Sequence, residues 1–232
     1  MSHTETEDAG IGPMLVSARS FTEYVAMFAL RDDDLAGTVL DCPAGASSFT
    51  ATARARGIDV IACDVAYGDT SALAATARAE TIRGNSYIAQ RPERFAGSFF
   101  RDAEHHLEHR LASVERFAED LRTHPESYIP GALPALPFPD GSFDLVLSSH
   151  LLFTYADRFD VDDHDRFLAE LLRVSAREVR VFPLVPSGRN DRYAELDELR
   201  RRLDARGIAH ELRSVAYDFQ GGGTEMLVCS AR

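Results

Sequence analysis

Two short apolar segments, each ending in an aspartate, constrain this chain more than any other feature. Thr38-Val39-Leu40-Asp41 runs into a loop of small residues, Cys42 to Ser48. Asp59 to Asp64, reading DVIACD, repeats the pattern about twenty residues further on. Between them, Phe49 to Arg56 reads as a helix stopped by Gly57. Short, continuously apolar strands suit a sheet covered on both faces. Residues 38–64 therefore predict strand, lean loop, helix, strand, which opens a parallel α/β sheet.

The rest of the chain extends that sheet. Ser127–Ile129 and Phe143 to Ser148 predict further strands, the latter entered through the turn Pro139-Asp140-Gly141. Val161-Asp162-Asp163 starts a helix with Phe167, Leu168, Leu171 and Leu172 on its buried face. Glu178 to Leu184 predicts a strand, and Asp191 to Arg206 a helix ended by Gly207. Leu212–Phe219 and Glu225–Ser230, joined by Gly221-Gly222-Gly223, predict an antiparallel pair. A helix is expected over 14–30, with Val16, Tyr24, Met27, Phe28 and Leu30 on its apolar stripe. The fold class expected is α/β: a Rossmann-like, mostly parallel seven-stranded sheet with a C-terminal antiparallel hairpin. An N-terminal helix and a helical insertion complete it. Residues 1–232 read as a single domain, with 1–13 a loose tail. The stretch 65–127 is too long for an ordinary crossover. Its helices are expected near 69–83 and 99–122, as a substrate lid or as plain packing.

Charge narrows the partners. The chain carries 25 basic and 37 acidic residues, a formal charge of -12, and every basic residue is arginine. Phosphate backbones and anionic membranes call for the opposite balance. Cys42, Cys63 and Cys229 have neither metal-type spacing nor a disulfide pattern. They read as reduced thiols of a cytoplasmic protein. No apolar run reaches the roughly 18 residues that span a bilayer, and the acidic start MSHTETEDAG does not read as a secretory signal.

A loop of Gly and Ala between a strand end and a helix start lets a ligand lie against its backbone, with helix amides free to meet it. An acid ending the second strand, Asp64, can bind both hydroxyls of a ribose. Together they point to a nucleoside-containing cofactor. On these pieces the chain resembles the class I S-adenosylmethionine-dependent methyltransferases. The matching segments are VLDCPAGASSF, VIACD and LPFPDGSFDLVLSSHLLF, with the terminal hairpin. The resemblance implies S-adenosylmethionine as cofactor and methyl transfer as activity. It places Asp41, Pro43, Ala44, Gly45, Ser47, Ser48, Asp64, Ala132, Leu133 and Ser148 around the cofactor. Pro43 and Ser47 replace two of the family's three loop glycines. Gly131-Ala132-Leu133 lacks the acid that often meets the adenine amino group, leaving backbone and apolar contacts for that end.

Methyl transfer is an in-line displacement, so positioning supplies much of the rate and a base is needed only for a protonated acceptor. His150 and Tyr155, after the fourth strand, are the candidate catalytic residues. His105, His106 and His109, near Glu104 and Glu108, read as a solvated helix face and not as a metal site. The acceptor expected is a small molecule. A nicotinamide-dependent oxidoreductase shares the loop and Asp64 but does not predict the hairpin. A non-catalytic binding protein of methyltransferase fold is the other alternative.

Overall fold

The computed structural model describes residues 14–95, 97–219 and 222–231. The tail expected over 1–13 lies outside them. The apolar runs form β1 (Val39–Asp41), β2 (Val60–Asp64), β3 (Tyr128–Pro130), β4 (Phe143–Ser149), β5 (Ser175–Phe182), β6 (His210–Ser214) and β7 (Glu225–Ser230). They make one seven-stranded sheet in the order β3-β2-β1-β4-β5-β7-β6. β1 to β5 pair in parallel, and β7 runs antiparallel between β5 and β6. The mostly parallel sheet and its terminal antiparallel pair are as the sequence predicts.

This order places the topological switch between β1 and β4. The chain leaves β1 towards β2 and β3, then returns to build outward from β4. Ligands of open α/β sheets bind at the carboxyl ends of strands there. Asp41 is in register with Leu147, so Ser148 lies one residue beyond it on the neighbouring strand.

Helices cover both faces. α1 (Phe21–Met27) and α2 (Phe49–Ala55) pack on the side of Val39, Leu145, Leu147 and Phe182. α5 (Val161–Val174) and α6 (Leu196–Ala205) pack on the side of Leu40, Val146, Val179 and Val181. Successive strand residues thus feed opposite layers. Each fully buried aliphatic side chain contributes about 2 kcal/mol.

The segment 65–127 carries α3 (Leu73–Ala89) and α4 (Ala103–Thr123), which pack on each other. Phe117 of α4 packs with Tyr67 and Tyr128, so α4 also carries the crossover from β2 to β3. No helix among the described residues is long and apolar enough to cross a membrane.

Three expectations are corrected. The first helix spans Phe21–Met27, not 14–30, because Ser20 and Glu23 form a reciprocal capping box that starts it there. Residues 14–19 carry no helix or strand and run over the loop after β1. β6 ends at Ser214, not at Phe219, and Tyr217 beyond it is fully buried. On α4 the buried face is His106, Arg110, Ser113, Val114 and Phe117, while Leu107 and Leu111 are half-buried. The face taken as solvated is the one turned inward.

Candidate active site

Asp41 ends β1 fully buried. Its Oδ1 accepts from the Tyr24 hydroxyl at 2.8 Å, and its Oδ2 has no partner among the described residues. Burial pushes this carboxyl well above its usual range, against the Tyr24 hydrogen bond and with a further push from Asp64. Burial and Asp41 likewise push the Tyr24 phenol up, so it keeps the proton it donates. Ser148, the last residue but one of the adjacent strand, is also buried, and its Oγ is unpartnered among the described residues. Two orphaned polar atoms thus lie on neighbouring strands at the switch point, where an unmet group has a cost.

Asp64, ending β2, ties two loops together. Its Oδ2 accepts from the Gly45 amide at 2.8 Å and its Oδ1 from the Ala66 amide at 2.9 Å. Burial raises its pKa, against those two amides. Each oxygen retains accepting capacity for a hydroxyl donor. Gly45 has φ +57, which favours glycine, and a Cβ there would sit 2.9 Å from the Ser17 carbonyl oxygen. The Tyr67 hydroxyl donates to the Gly45 carbonyl at 2.7 Å and holds the turn from the other side.

The loop amides expected to be free are engaged. Ala44 N–H bonds to Cys63, Ala46 N–H to the Ser17 carbonyl, Ser47 N–H to Ala44 and Ser48 N–H to the Arg19 carbonyl. The Ser47 hydroxyl donates to the Arg19 carbonyl at 3.0 Å and accepts from the Phe49 amide. Backbone carbonyls of residues 17 and 19 therefore cap α2 in the manner of an anion. Pro43 is half-buried within the loop. On the other flank, Gly131 N–H bonds to the Asp64 carbonyl, and a Cβ on Gly131 would meet Cys63 Sγ at 2.6 Å. This close approach brings Ala132, exposed, and Leu133, half-buried, beside the end of β2.

His150 and Tyr155 lie together in a second layer. Both line a cavity of about 100 Å³ walled by residues 15–19, by α3 and by α4. Its apolar walls include Leu15, Ile88 and Phe219, and its polar ones Arg19, His106 and Arg110. His150 has φ +54, an uncommon and strained conformation outside glycine. Its amide is fixed to the Phe182 carbonyl at 2.7 Å, and its Nδ1 lies 2.9 Å from Ser149 Oγ. Burial, then Arg19 and Arg110, hold its pKa well below the usual imidazole range, so the ring is neutral at pH 7. The Tyr155 hydroxyl accepts from the Leu15 amide at 3.0 Å.

Beneath the cavity sits a charged cluster. Glu23 is fully buried, receives Arg110 at 2.8 Å and the Tyr217 hydroxyl at 2.9 Å, and has Arg19 at 3.7 Å. Arg110 Nε donates to His106 Nε2 at 3.2 Å, which leaves Nδ1 to donate to Asn85 Oδ1 at 2.8 Å. Burial first, and Arg110 next, push His106 down to about 2.

Tyr24, Arg19, Glu23, His106 and Arg110 were absent from the candidate set. Only Glu23 carried a local signal, the Ser20-Phe21-Thr22-Glu23 capping pattern. The others meet the site from distant parts of the chain.

Comparison with known proteins agrees with this fold. Residues 96–182 match the family model of a methyltransferase domain. A protein of Methanocaldococcus jannaschii described as uncharacterized protein MJ0045 is 28% identical over 216 residues, covering 90% of this chain and 93% of that one. Magnesium protoporphyrin IX methyltransferase from Synechocystis PCC 6803, solved with bound SAM, shares the fold at a TM-score of 0.50 and 13% identity. The match covers 91% of this chain and 78% of that one. The same enzyme with bound SAH gives 0.50 and 12% over 91% and 81%. The chain thus has the fold of the S-adenosylmethionine-dependent methyltransferases, and residues 96–182 carry the methyltransferase-domain match.

Proposed function

We propose that this protein transfers the methyl group of S-adenosylmethionine to a small-molecule acceptor held between His150 and the helices of 65–127. The observation that carries the reading is the pair of unpartnered buried atoms, Asp41 Oδ2 and Ser148 Oγ, at neighbouring strand ends of the switch point. An ammonium satisfies Asp41 Oδ2, and its charge favours ionised Asp41. Asp64 has oxygen lone pairs for ribose hydroxyls, and Ala132 and Leu133 offer backbone and apolar surface for the base. When bound, the cofactor supplies an activated methyl on a sulfonium. The Ser17 and Arg19 carbonyls cover one side of the glycine loop, and the cofactor enters from the other. Pro43, Ala44, Gly45, Ser47 and Ser48 then line its path.

His150 is neutral and at the end of β4, which suits it to accept a proton from an acceptor hydroxyl or amine. Tyr155 positions the covering segment through Leu15. The insertion serves as the acceptor's wall, since α3 and α4 residues line the cavity with His150. A net charge of -12 favours a small acceptor over nucleic acid. Three free buried cysteines support a reducing compartment, the cytoplasm.

Calorimetric titration with S-adenosylmethionine and S-adenosylhomocysteine tests the reading. Micromolar binding in the wild type, weakened tenfold or more in Asp64→Ala, is the expected result. No binding of either to folded protein overturns it.

A further inference from the structure

We propose that the cavity beside His150 receives a carboxylate, carried by a small methyl acceptor, on the guanidinium of Arg19. The inference rests on the methyltransferase reading and adds the acceptor's chemical class to it.

Charge is the first argument. Arg19 and Arg110 face the single carboxylate of Glu23, and all three are more than nine-tenths buried. Glu80 also lines the cavity but is ion-paired with Arg83. His106 and His150 are neutral, and Tyr155 and Tyr217 keep their protons. One positive charge is therefore left over in a low-dielectric space, which an anion would neutralise.

Hydrogen-bond accounting is the second. Arg110 has all three nitrogens engaged, to His106, to the Ala18 carbonyl and to Glu23. Arg19 uses Nη1 on the Tyr217 hydroxyl at 3.4 Å, while its Nε is buried with no acceptor among the described residues. Nε forms half of the side-on fork by which a guanidinium holds both oxygens of a carboxylate. Thr154 Oγ1, also on the cavity wall, is unpartnered as well and can donate to the same anion.

Size and polarity complete the argument. Leu15, Val16, Ile88, Phe95 and Phe219 supply apolar wall, and at about 100 Å³ the cavity is smaller than the ~150 Å³ space that takes a benzene ring, so it suits a ligand of a few carbons or the carboxylate end of a longer one. The body of the ligand would lie on these side chains, with its carboxylate on Arg19 and the accepting atom towards His150.

The test is calorimetric titration of acetate, benzoate, phenylacetate and 4-hydroxybenzoate into protein saturated with S-adenosylhomocysteine, with benzylamine as the cationic control. At least one carboxylate should bind, benzylamine should not, and Arg19→Met should weaken the carboxylate about thirtyfold. Affinity for S-adenosylhomocysteine should stay within about twofold. Arg19→Lys keeps the charge without the fork and should also weaken binding several-fold, which covers the case of Arg19→Met failing to fold. Failure of every carboxylate overturns the proposal. So does a thirtyfold loss of S-adenosylhomocysteine affinity in Arg19→Met, because the arginine would then hold the cofactor's own carboxylate. Should the wild type bind no S-adenosylhomocysteine, the cofactor reading fails separately. The same carboxylates titrated into cofactor-free protein then decide the anion site, with Arg19-dependent binding supporting it and none overturning it.

Discussion

The Glu23 carboxylate lies 2.8 Å from the Arg110 guanidinium and joins the first helix to the insertion across 87 residues of chain. The same side chain caps α1 by accepting from the Ser20 amide at 2.9 Å. One residue thus starts a helix and offsets one of the two arginine charges under the cavity. Glu23→Gln keeps the cap's acceptor but leaves Arg19 and Arg110 buried together. It should destabilise the fold by about 3 kcal/mol, read as a lower denaturant midpoint at unchanged slope.

The neutral histidines make stability fall on acidification. His106 titrates near 6.5 when unfolded and is held at about 2 when folded. The unfolded state therefore binds the extra proton first. Stability is fully present above pH 6.5 and declines by about 1.4 kcal/mol per pH unit below it. His150 shifts in the same direction and adds to the slope. His106→Gln should flatten the decline between pH 6 and 4 in denaturant titrations run at successive pH values.

Asp41 shifts the opposite way. Its folded pKa is raised, so its contribution to stability is complete below the unfolded carboxylate range and is lost as pH rises through the folded value. A cation bound at Oδ2 favours the ionised form. At pH values where Asp41 of the free protein holds its proton, cofactor binding should release it, seen as a binding enthalpy that changes with the buffer's own ionisation enthalpy. Asp41→Asn should abolish this buffer dependence and weaken binding at least tenfold.

Gly45→Ala tests the covering segment. The new Cβ would combine a positive φ with a 2.9 Å approach to the Ser17 carbonyl. A loss of about 1–2 kcal/mol is expected. Because the clash is with residue 17, limited proteolysis should cut faster between residues 14 and 19 than in the wild type.

His150→Gln should lower kcat about a hundredfold on an acceptor that arrives protonated, with cofactor affinity unchanged. Because burial, Arg19 and Arg110 hold the wild-type imidazole well below its usual range, the acid limb of kcat/KM should lie well below pH 6.5. A limb at 6.5 would show that another group is the base.

The sequence by itself determined the sheet and its switch point. Apolar runs ending in Asp41 and Asp64, a glycine able to take φ +57, and a hairpin after Gly207 are local signals, and each acts through its own segment. It did not determine what covers the glycine loop or which face of α4 turns inward. Spacing put Ala103, Leu107, Leu111, Val114, Ala118 and Leu121 on its apolar stripe, yet of these only Val114 is buried, and His106, Arg110 and Ser113 turn inward because Glu23, Ser48 and Asn85 wait there to satisfy them. Burial of a polar group depends on its partner, and these partners come from three separate stretches of chain. The loop amides follow the same rule. Their fate was decided by Ser17 and Arg19, whose carbonyls reach α2 only once the sheet, α1 and α4 have assembled.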